Sequence, residues 1–252
     1  MDNNTDMWCP SPRDIPASLG LLTRIPVHVD GTWAMARGAN GAWAFPIVGL
    51  IIGGILALVV WGLGTTSLPP LAVGILVVAL GLFLTGAMHE DGLSDTLDGF
   101  WGGWTPDSRL EIMKDSRLGV YGTAGLITTL TLKAVLIGAL TATPWGLIGA
   151  AALSRGWMPV VMAWVPNART TGLSRSVGQP TKVCAVTALA IGALAAAFTV
   201  PVLAIALSIL VVASVVMVAR RKIGGQTGDV LGACQVTSEL CILLVCVAAC
   251  RV

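Results

Sequence analysis

The stretch HEDGLSDTLDGFWGG, His89 to Gly103, gathers Glu90, Asp91, Asp95 and Asp98 directly after a long apolar run. No lysine or arginine lies between Arg37 and Arg109 to neutralise them in sequence. If the second apolar span continues as helix past Met88, Asp91, Asp95 and Asp98 fall at i, i+4 and i+7. At about 100° per residue they then share one face. Like charges at that spacing weaken a helix, so the stripe needs a counter-charge. Magnesium is one answer: it takes oxygen ligands, keeps several waters and bridges a few carboxylates to substrate phosphates. A solvated acidic face, met by Arg109, Lys114 and Arg117 of the same loop, is the other. Glu90 joins the candidate metal set as a further oxygen donor. His89 stands where it could hydrogen-bond a ligand carboxylate or a substrate hydroxyl. Gly99, Gly102 and Gly103 supply a helix end just beyond.

Three further groups of residues could serve the same chemistry. RLEIMKDSRLGVYG, Arg109 to Gly122, interleaves Glu111 and Asp115 with Arg109, Lys114 and Arg117. Carboxylates for metal beside cations for phosphate is the composition phosphoryl transfer requires. Taken alone, it fits an ordinary amphipathic surface helix with internal ion pairs better. Gly119, Gly122 and Gly125 permit close packing at the start of the next span. In RRKIGGQTGDVLGACQVTSEL, Arg220 to Leu240, Gly224, Gly225 and Gly228 let a backbone approach an anion, and Asp229 and Glu239 could complete a metal- or hydroxyl-binding shell. The segment matches neither GxxxxGK[ST] nor GxGxxG, and on its own a flexible interhelical loop explains it better. Arg155 falls within an apolar segment, where a buried cation is costly and marks function by default. Pro159 is expected to break that helix and let Arg155 reach a phosphate. Lys133 is expected to snorkel or to pair with a backbone carbonyl.

The elements that must position these residues are membrane helices. The chain has 252 residues, 55% hydrophobic and 11% charged, against about 25% charged in globular proteins. Its mean hydropathy is +0.84. The net charge of +2 is too small to indicate nucleic-acid binding. Seven stretches approach the roughly 20 apolar residues of a span: Ala42–Gly64, Leu68–Met88, Gly119–Leu140, Trp145–Val165, Val183–Val200, Pro201–Ala219 and Cys234–Cys250. The fifth and sixth must part at Val200-Pro201. Cations cluster in the N-terminal region and in the second, fourth and sixth loops, while the first, third and fifth carry none. That alternation predicts a cytoplasmic N-terminus. All thirteen carboxylates lie in the N-terminal tail, the second loop or Asp229 to Glu239, hence on the cytoplasmic side or in the cytoplasmic half of the last span. The expectation is an all-α polytopic membrane bundle of about seven transmembrane helices, forming a single domain over residues 1–252. Residues 1–41 are its cytoplasmic or interfacial segment, 89–118 an acidic cytoplasmic loop and 220–233 a Gly-rich one. The six cysteines form no CxxC pair and read as small buried apolar residues.

With these motifs in place, the chain resembles cobalamin synthase, the adenosylcobinamide-GDP ribazoletransferase family of polytopic membrane enzymes. The resemblance rests on LLTRIPV (Leu21 to Val27), FPIVGLIIG (Phe45 to Gly53), HEDGLSDTLDG (His89 to Gly99), RLEIMKDSRLGVYG and GGQTGDVLGA (Gly224 to Ala233), in the family's order. FWGGWTPDS after Gly99 is more aromatic than the family's usual connection. The resemblance implies that a ribose hydroxyl of α-ribazole, or of its 5′-phosphate, attacks adenosylcobinamide-GDP and expels GMP, with Mg²⁺ as cofactor. It implies a bacterial cytoplasmic membrane with the active site on the cytoplasmic side. No nucleic acid is involved, and a homo-oligomer or a complex with other corrinoid-pathway enzymes is left open. By analogy with other acidic-motif phosphotransferases, Asp91, Asp95 and Asp98 would bind metal, joined by Glu90 and Asp229. Asp98 or Asp115 would be the general base, and Arg24, Lys114, Arg117 and Arg155 would meet phosphate. His89, Gly224, Gly225, Gly228 and Glu239 complete the substrate-binding candidates.

Three alternatives are less well matched. A CDP-alcohol phosphotransferase would carry alanine-arginine after its D-G pair, and Asp91-Gly92 is followed by Leu93-Ser94. An intramembrane prenyltransferase would have two separated acidic motifs. A transporter would distribute ionisable residues through several spans.

Overall fold

The computed structural model describes residues 9–169 and 177–250, and every regular element among them is helical. In chain order these are α1 (Asp14–Leu22), α2 (Gly31–Arg37), a 3₁₀ segment (Gly38–Ala44), α3 (Phe45–Gly64), α4 (Pro70–Thr85), α5 (Met88–Gly102), α6 (Pro106–Ile112), α7 (Val120–Ala139), α8 (Gly146–Trp164), α9 (Lys182–Thr199), α10 (Val202–Ile223) and α11 (Gly228–Ala249). Six helical runs are long and apolar enough to cross a membrane, and a seventh follows if α4 and α5 are one broken span. Exposed Phe83, Ile127, Phe198 and Leu210 give these helices apolar outer faces, as a hydrocarbon surround requires.

Helix α8 is the centre of the bundle, with every residue from Gly149 to Pro159 buried. Small residues make that possible. A Cβ on Gly49 or Gly53 of α3 would strike the α8 backbone at Ala151 or Leu147, and one on Gly192 of α9 would strike Ala152. Backbone-to-backbone approach of this kind is how helices gain dispersion contact where lipid removes the hydrophobic drive. Contrary to expectation, Pro159 does not interrupt α8. It only leaves the Arg155 carbonyl without an intrahelical amide, because proline has no N–H.

The chain turns between α9 and α10 at Val200-Pro201, as the proline and the combined length demand. The second span differs from its expected form. It stops at Thr85, Gly86 and Ala87 take left-handed φ values of 66° and 57°, and α5 leaves at 92° to α4. The carboxylate stripe therefore sits on a helix of its own, and residues 89–118 are two helices rather than a loop.

The bundle has two unlike ends. At one, Thr143 Oγ1 lies 3.3 Å from Cys250 Sγ, and Gly64 packs on Thr141, in loops without charge. At the other, Arg109 Nη1 donates to the Lys222 carbonyl (2.8 Å), Lys222 Nζ donates to the Phe100 carbonyl (2.9 Å), and Ala168 N donates to the Gln226 carbonyl (2.8 Å). These bonds tie α5, α6, the segment after α8 and the α10–α11 loop into one polar cap. The N-terminal segment adds its own ion pair there, half-buried Arg37 Nε on buried Asp14 Oδ1 at 2.9 Å, with Trp43 Nε1 donating to the same carboxylate.

Candidate functional site

Helix α5 is where the charge collects, and its two long faces differ. Outward, Asp91 is exposed and Asp95 half-buried, while Leu93, Ser94, Thr96 and Phe100 pack inward. Glycines on three sides let neighbours close on it. A Cβ on Gly92 would meet the Asp229 backbone at 2.9 Å, one on Gly232 the His89 backbone at 2.9 Å, and one on Gly122 the Ser94 hydroxyl and Asp98 carboxylate. The first of these contacts brings the start of α11, and with it Asp229, against the acidic stripe. Asp95 lies within electrostatic reach of Asp91, Asp98 and Asp229, with the Arg169 cation acting against them.

Asp98 is buried and held at both oxygens. Gly119 N donates to Oδ2 (2.8 Å) and Gly122 N to Oδ1 (2.9 Å). These are amides that the first turn of α7 leaves without intrahelical partners, so Asp98 of one helix caps the next. Asp229, in the first turn of α11, accepts from Arg169 Nη2 (2.9 Å) and from the Thr227 hydroxyl (3.2 Å). Arg169 also donates to the Met113 carbonyl (3.3 Å).

Behind α5 lies a second set of charges, closed off from solvent. Glu90, Lys133, Arg155 and Glu239 are exposed by only 7, 9, 3 and 6%, and His89 by 2%. Lys133 Nζ of α7 binds Glu239 Oε2 of α11 at 2.9 Å and Glu90 Oε1 of α5 at 3.5 Å. Gln235 Nε2 donates to the same Glu239 oxygen (3.1 Å) and to the Ser154 hydroxyl of α8 (3.0 Å). Arg155 donates to the Ala151 carbonyl of its own helix (3.1 Å) and lies within electrostatic reach of both glutamates. Two cations and two carboxylates balance, which is the condition under which buried charge is tolerated. His89 Nε2, Glu90 Oε2 and Arg155 Nε are buried without a protein partner.

Comparison with known proteins decides the family. A family model described as cobalamin-5-phosphate synthase matches residues 14–247. The adenosylcobinamide-GDP ribazoletransferase of Azorhizobium caulinodans is 38% identical over 247 residues, covering 92% of this chain and 94% of the relative. The protein of the same name from Bradyrhizobium diazoefficiens is 39% identical over 243 residues, covering 93% of each. The Brucella ovis protein of that name is 39% identical over 249 residues, covering 92% and 95%. The chain belongs to the cobalamin-5-phosphate synthase family. No solved structure matches it significantly.

In this member of the cobalamin-5-phosphate synthase family, the candidate residues divide between the two regions. Asp91, Asp95, Asp98 and Asp229 are brought together. Glu90, His89, Glu239 and Arg155 are not at that surface: they lie inside, with Glu90 turned to Lys133 of α7. Arg155 therefore has no path to a phosphate at the cap, its charge being answered by buried glutamates instead. Lys133 neither snorkels nor bonds a carbonyl, but bridges carboxylates of two other helices.

Lys114 and Arg117 are exposed on the loop after α6. Arg117 Nε donates to Asp115 Oδ1 (3.0 Å), and this bond holds the Asp115 carboxyl below the usual carboxylate range. A carboxylate so held is a poor proton acceptor. Arg24 is exposed beside the α4–α5 bend, its amide donating to the Leu84 carbonyl (2.7 Å). Gly224 ends α10 in a left-handed conformation, and Gly225 is pressed on the Pro166 carbonyl where no Cβ fits. Gly224 and Gly228 face open space.

Among the described residues, no three His, Cys, Asp or Glu side chains converge closely enough to hold a metal ion as they stand. The donor set is nevertheless the right one for a hard cation. It consists of carboxylate oxygens alone, on facing helices, with Arg169 as a partial counter-charge. Magnesium needs only one or two protein carboxylates and fills the rest of its shell with water and phosphate. Arg169, Gln235 and Lys133 were not among the sequence-derived site residues. Their partners on other elements, Asp229, Ser154 and Glu239, lie 60, 81 and 106 positions away in sequence, beyond any periodic pattern.

Proposed function

We propose that this chain is a magnesium-dependent adenosylcobinamide-GDP ribazoletransferase. A ribose hydroxyl of α-ribazole, or of its 5′-phosphate, attacks the corrinoid-side phosphorus of adenosylcobinamide-GDP. The new P–O bond joins the lower-ligand nucleoside to the corrinoid, the bond to the guanylate breaks, and GMP leaves with the pyrophosphate bridging oxygen. The product is adenosylcobalamin or its 5′-phosphate. Two CDP-alcohol-type or transport alternatives lose ground here, because the family match spans the whole bundle and the outer charge is gathered at one end.

The observation that carries the reading is the meeting of Asp91 and Asp95 on α5 with Asp229 at the start of α11. A pyrophosphate would be repelled by bare carboxylates at this separation, so the site works only with a cation between them. Asp91, Asp95 and Asp229 would hold magnesium, which when bound supplies charge neutralisation for the pyrophosphate and its leaving oxygen. Asp98 accepts from the Gly119 and Gly122 amides and Asp115 from Arg117, so neither is free to take the hydroxyl proton, which leaves to solvent. Arg169 beside Asp229, with Lys114, Arg117 and Arg24 on the same cap, offers cationic donors to the phosphates.

The cap faces the cytoplasm on this reading, because its loops carry the lysines and arginines that the positive-inside rule places there. A reporter fused after Gly103 is expected to report a cytoplasmic position, and one fused in the Thr65-Thr66 loop an external one. The reverse pattern would invert the arrangement. The reaction is tested with purified protein in detergent, given adenosylcobinamide-GDP, α-ribazole and magnesium. GMP release with formation of a corrinoid bearing its lower base is the expected result. Folded protein that forms no such product sinks the proposal.

A further inference from the structure

The buried charges behind α5 are not used by the reaction above, yet they join the helices that carry its carboxylates. Glu90 precedes Asp91 on α5, and Glu239 stands on α11, the helix whose first turn carries Asp229. Lys133 of α7 contacts both glutamates, at 3.5 and 2.9 Å. Gln235 then links Glu239 to Ser154 on the buried central helix α8. The glycine contacts Gly92–Asp229 and Gly232–His89 set how near α5 and α11 come, but a backbone contact alone leaves them free to slide.

We propose that Lys133 is a positioning residue: by bridging Glu90 and Glu239 it locks α5 against α11 and so fixes Asp91 and Asp95 opposite Asp229. This rests on the metal reading given above. The charge count makes the proposal specific. Glu90, Glu239, Lys133 and Arg155 sum to zero, and removing the lysine alone leaves one negative charge too many in a dry interior. The two glutamates then repel, and the helices carrying them are driven apart. Removing one glutamate as well restores neutrality, with Arg155 left to face the other. A lysine that mattered only by filling space would show the opposite pattern, because a second truncation or neutralisation would add damage.

The test compares wild type with Lys133→Met, Lys133→Met/Glu239→Gln and Lys133→Met/Glu90→Gln, purified in detergent. Manganese binding is followed by electron paramagnetic resonance, and thermal unfolding and GMP release are recorded beside it. Lys133→Met is expected to weaken manganese binding by about tenfold or more, since removing one partner leaves a buried charge unpaired. At least one double variant is expected to regain roughly tenfold over the single, within the coupling seen for residues of one network. If Lys133→Met is not recovered folded, recovery of a double variant that binds manganese is the same result in stronger form. Double variants no better than the single, in yield and in manganese affinity, overturn the proposal, as does a Lys133→Met protein that binds like wild type. Wild type that binds manganese and shows the rescue but makes no corrinoid product would sink the reaction and leave the positioning role. Wild type that turns over without binding manganese would remove both the metal reading and this inference.

Discussion

Glu90 and Asp91 are neighbours in sequence and opposites in the structure. Glu90 is buried against Lys133, in a cluster whose charges cancel. Asp91 is exposed with Asp95 beside it and Asp229 across from it, in a cluster whose charges do not cancel. One helix thus separates two electrostatic regimes. Inside, each charge is answered by protein, because water is excluded and an unpaired ion is prohibitive. Outside, negative charge is left over for something that binds. The difference teaches how to sort the carboxylates of a membrane enzyme: balanced burial indicates framework, and unbalanced accessible charge indicates a ligand site.

The largest effect that would sharpen this division is on the outer face. Asp91→Asn and Asp95→Asn should each lower turnover by on the order of 10³-fold, the several kcal/mol that metal-assisted charge stabilisation supplies. Membrane insertion and thermal stability should be retained. Wild-type rates in either variant would break the contrast, because the unbalanced charge would then serve nothing. An intermediate effect belongs to Lys133, where a second neutralising substitution should mend the first. The smallest belongs to Asp98. Asp98→Asn weakens two bonds to the amides of Gly119 and Gly122, and thermal unfolding should show a loss of about 1 kcal/mol from the α7 cap. Unchanged stability would mean that the cap is redundant.

Much of the fold was legible in the sequence because membrane helices announce themselves by length, hydropathy and loop charge. The Val200-Pro201 turn and the helix end at Gly102 followed from the same rules. The bend after Thr85 did not. Gly86 is a residue that commonly ends helices, but it lies in a largely apolar run without proline, and nothing marks the left-handed conformation of Ala87 beside it. Pro159 stays within α8, whose preceding turns pack closely on α3 and α9. Of the site, the stripe of Asp91, Asp95 and Asp98 and the nearby Asp229 could be read from spacing and motif. Which carboxylates turn inward could not. Glu90, Glu239 and Arg155 are sorted by Lys133, a partner on another helix with no sequence pattern linking it to them.

We propose that the outer carboxylates of α5, Asp91 and Asp95, hold the metal and that buried Glu90 does not. Manganese titration of purified protein, monitored by electron paramagnetic resonance, tests it on wild type, Asp91→Asn, Asp95→Asn and the Asp115→Asn control. The account predicts binding by wild type and by Asp115→Asn, and a loss of about tenfold or more in affinity for both α5 variants. Equal affinity in all four proteins would contradict it.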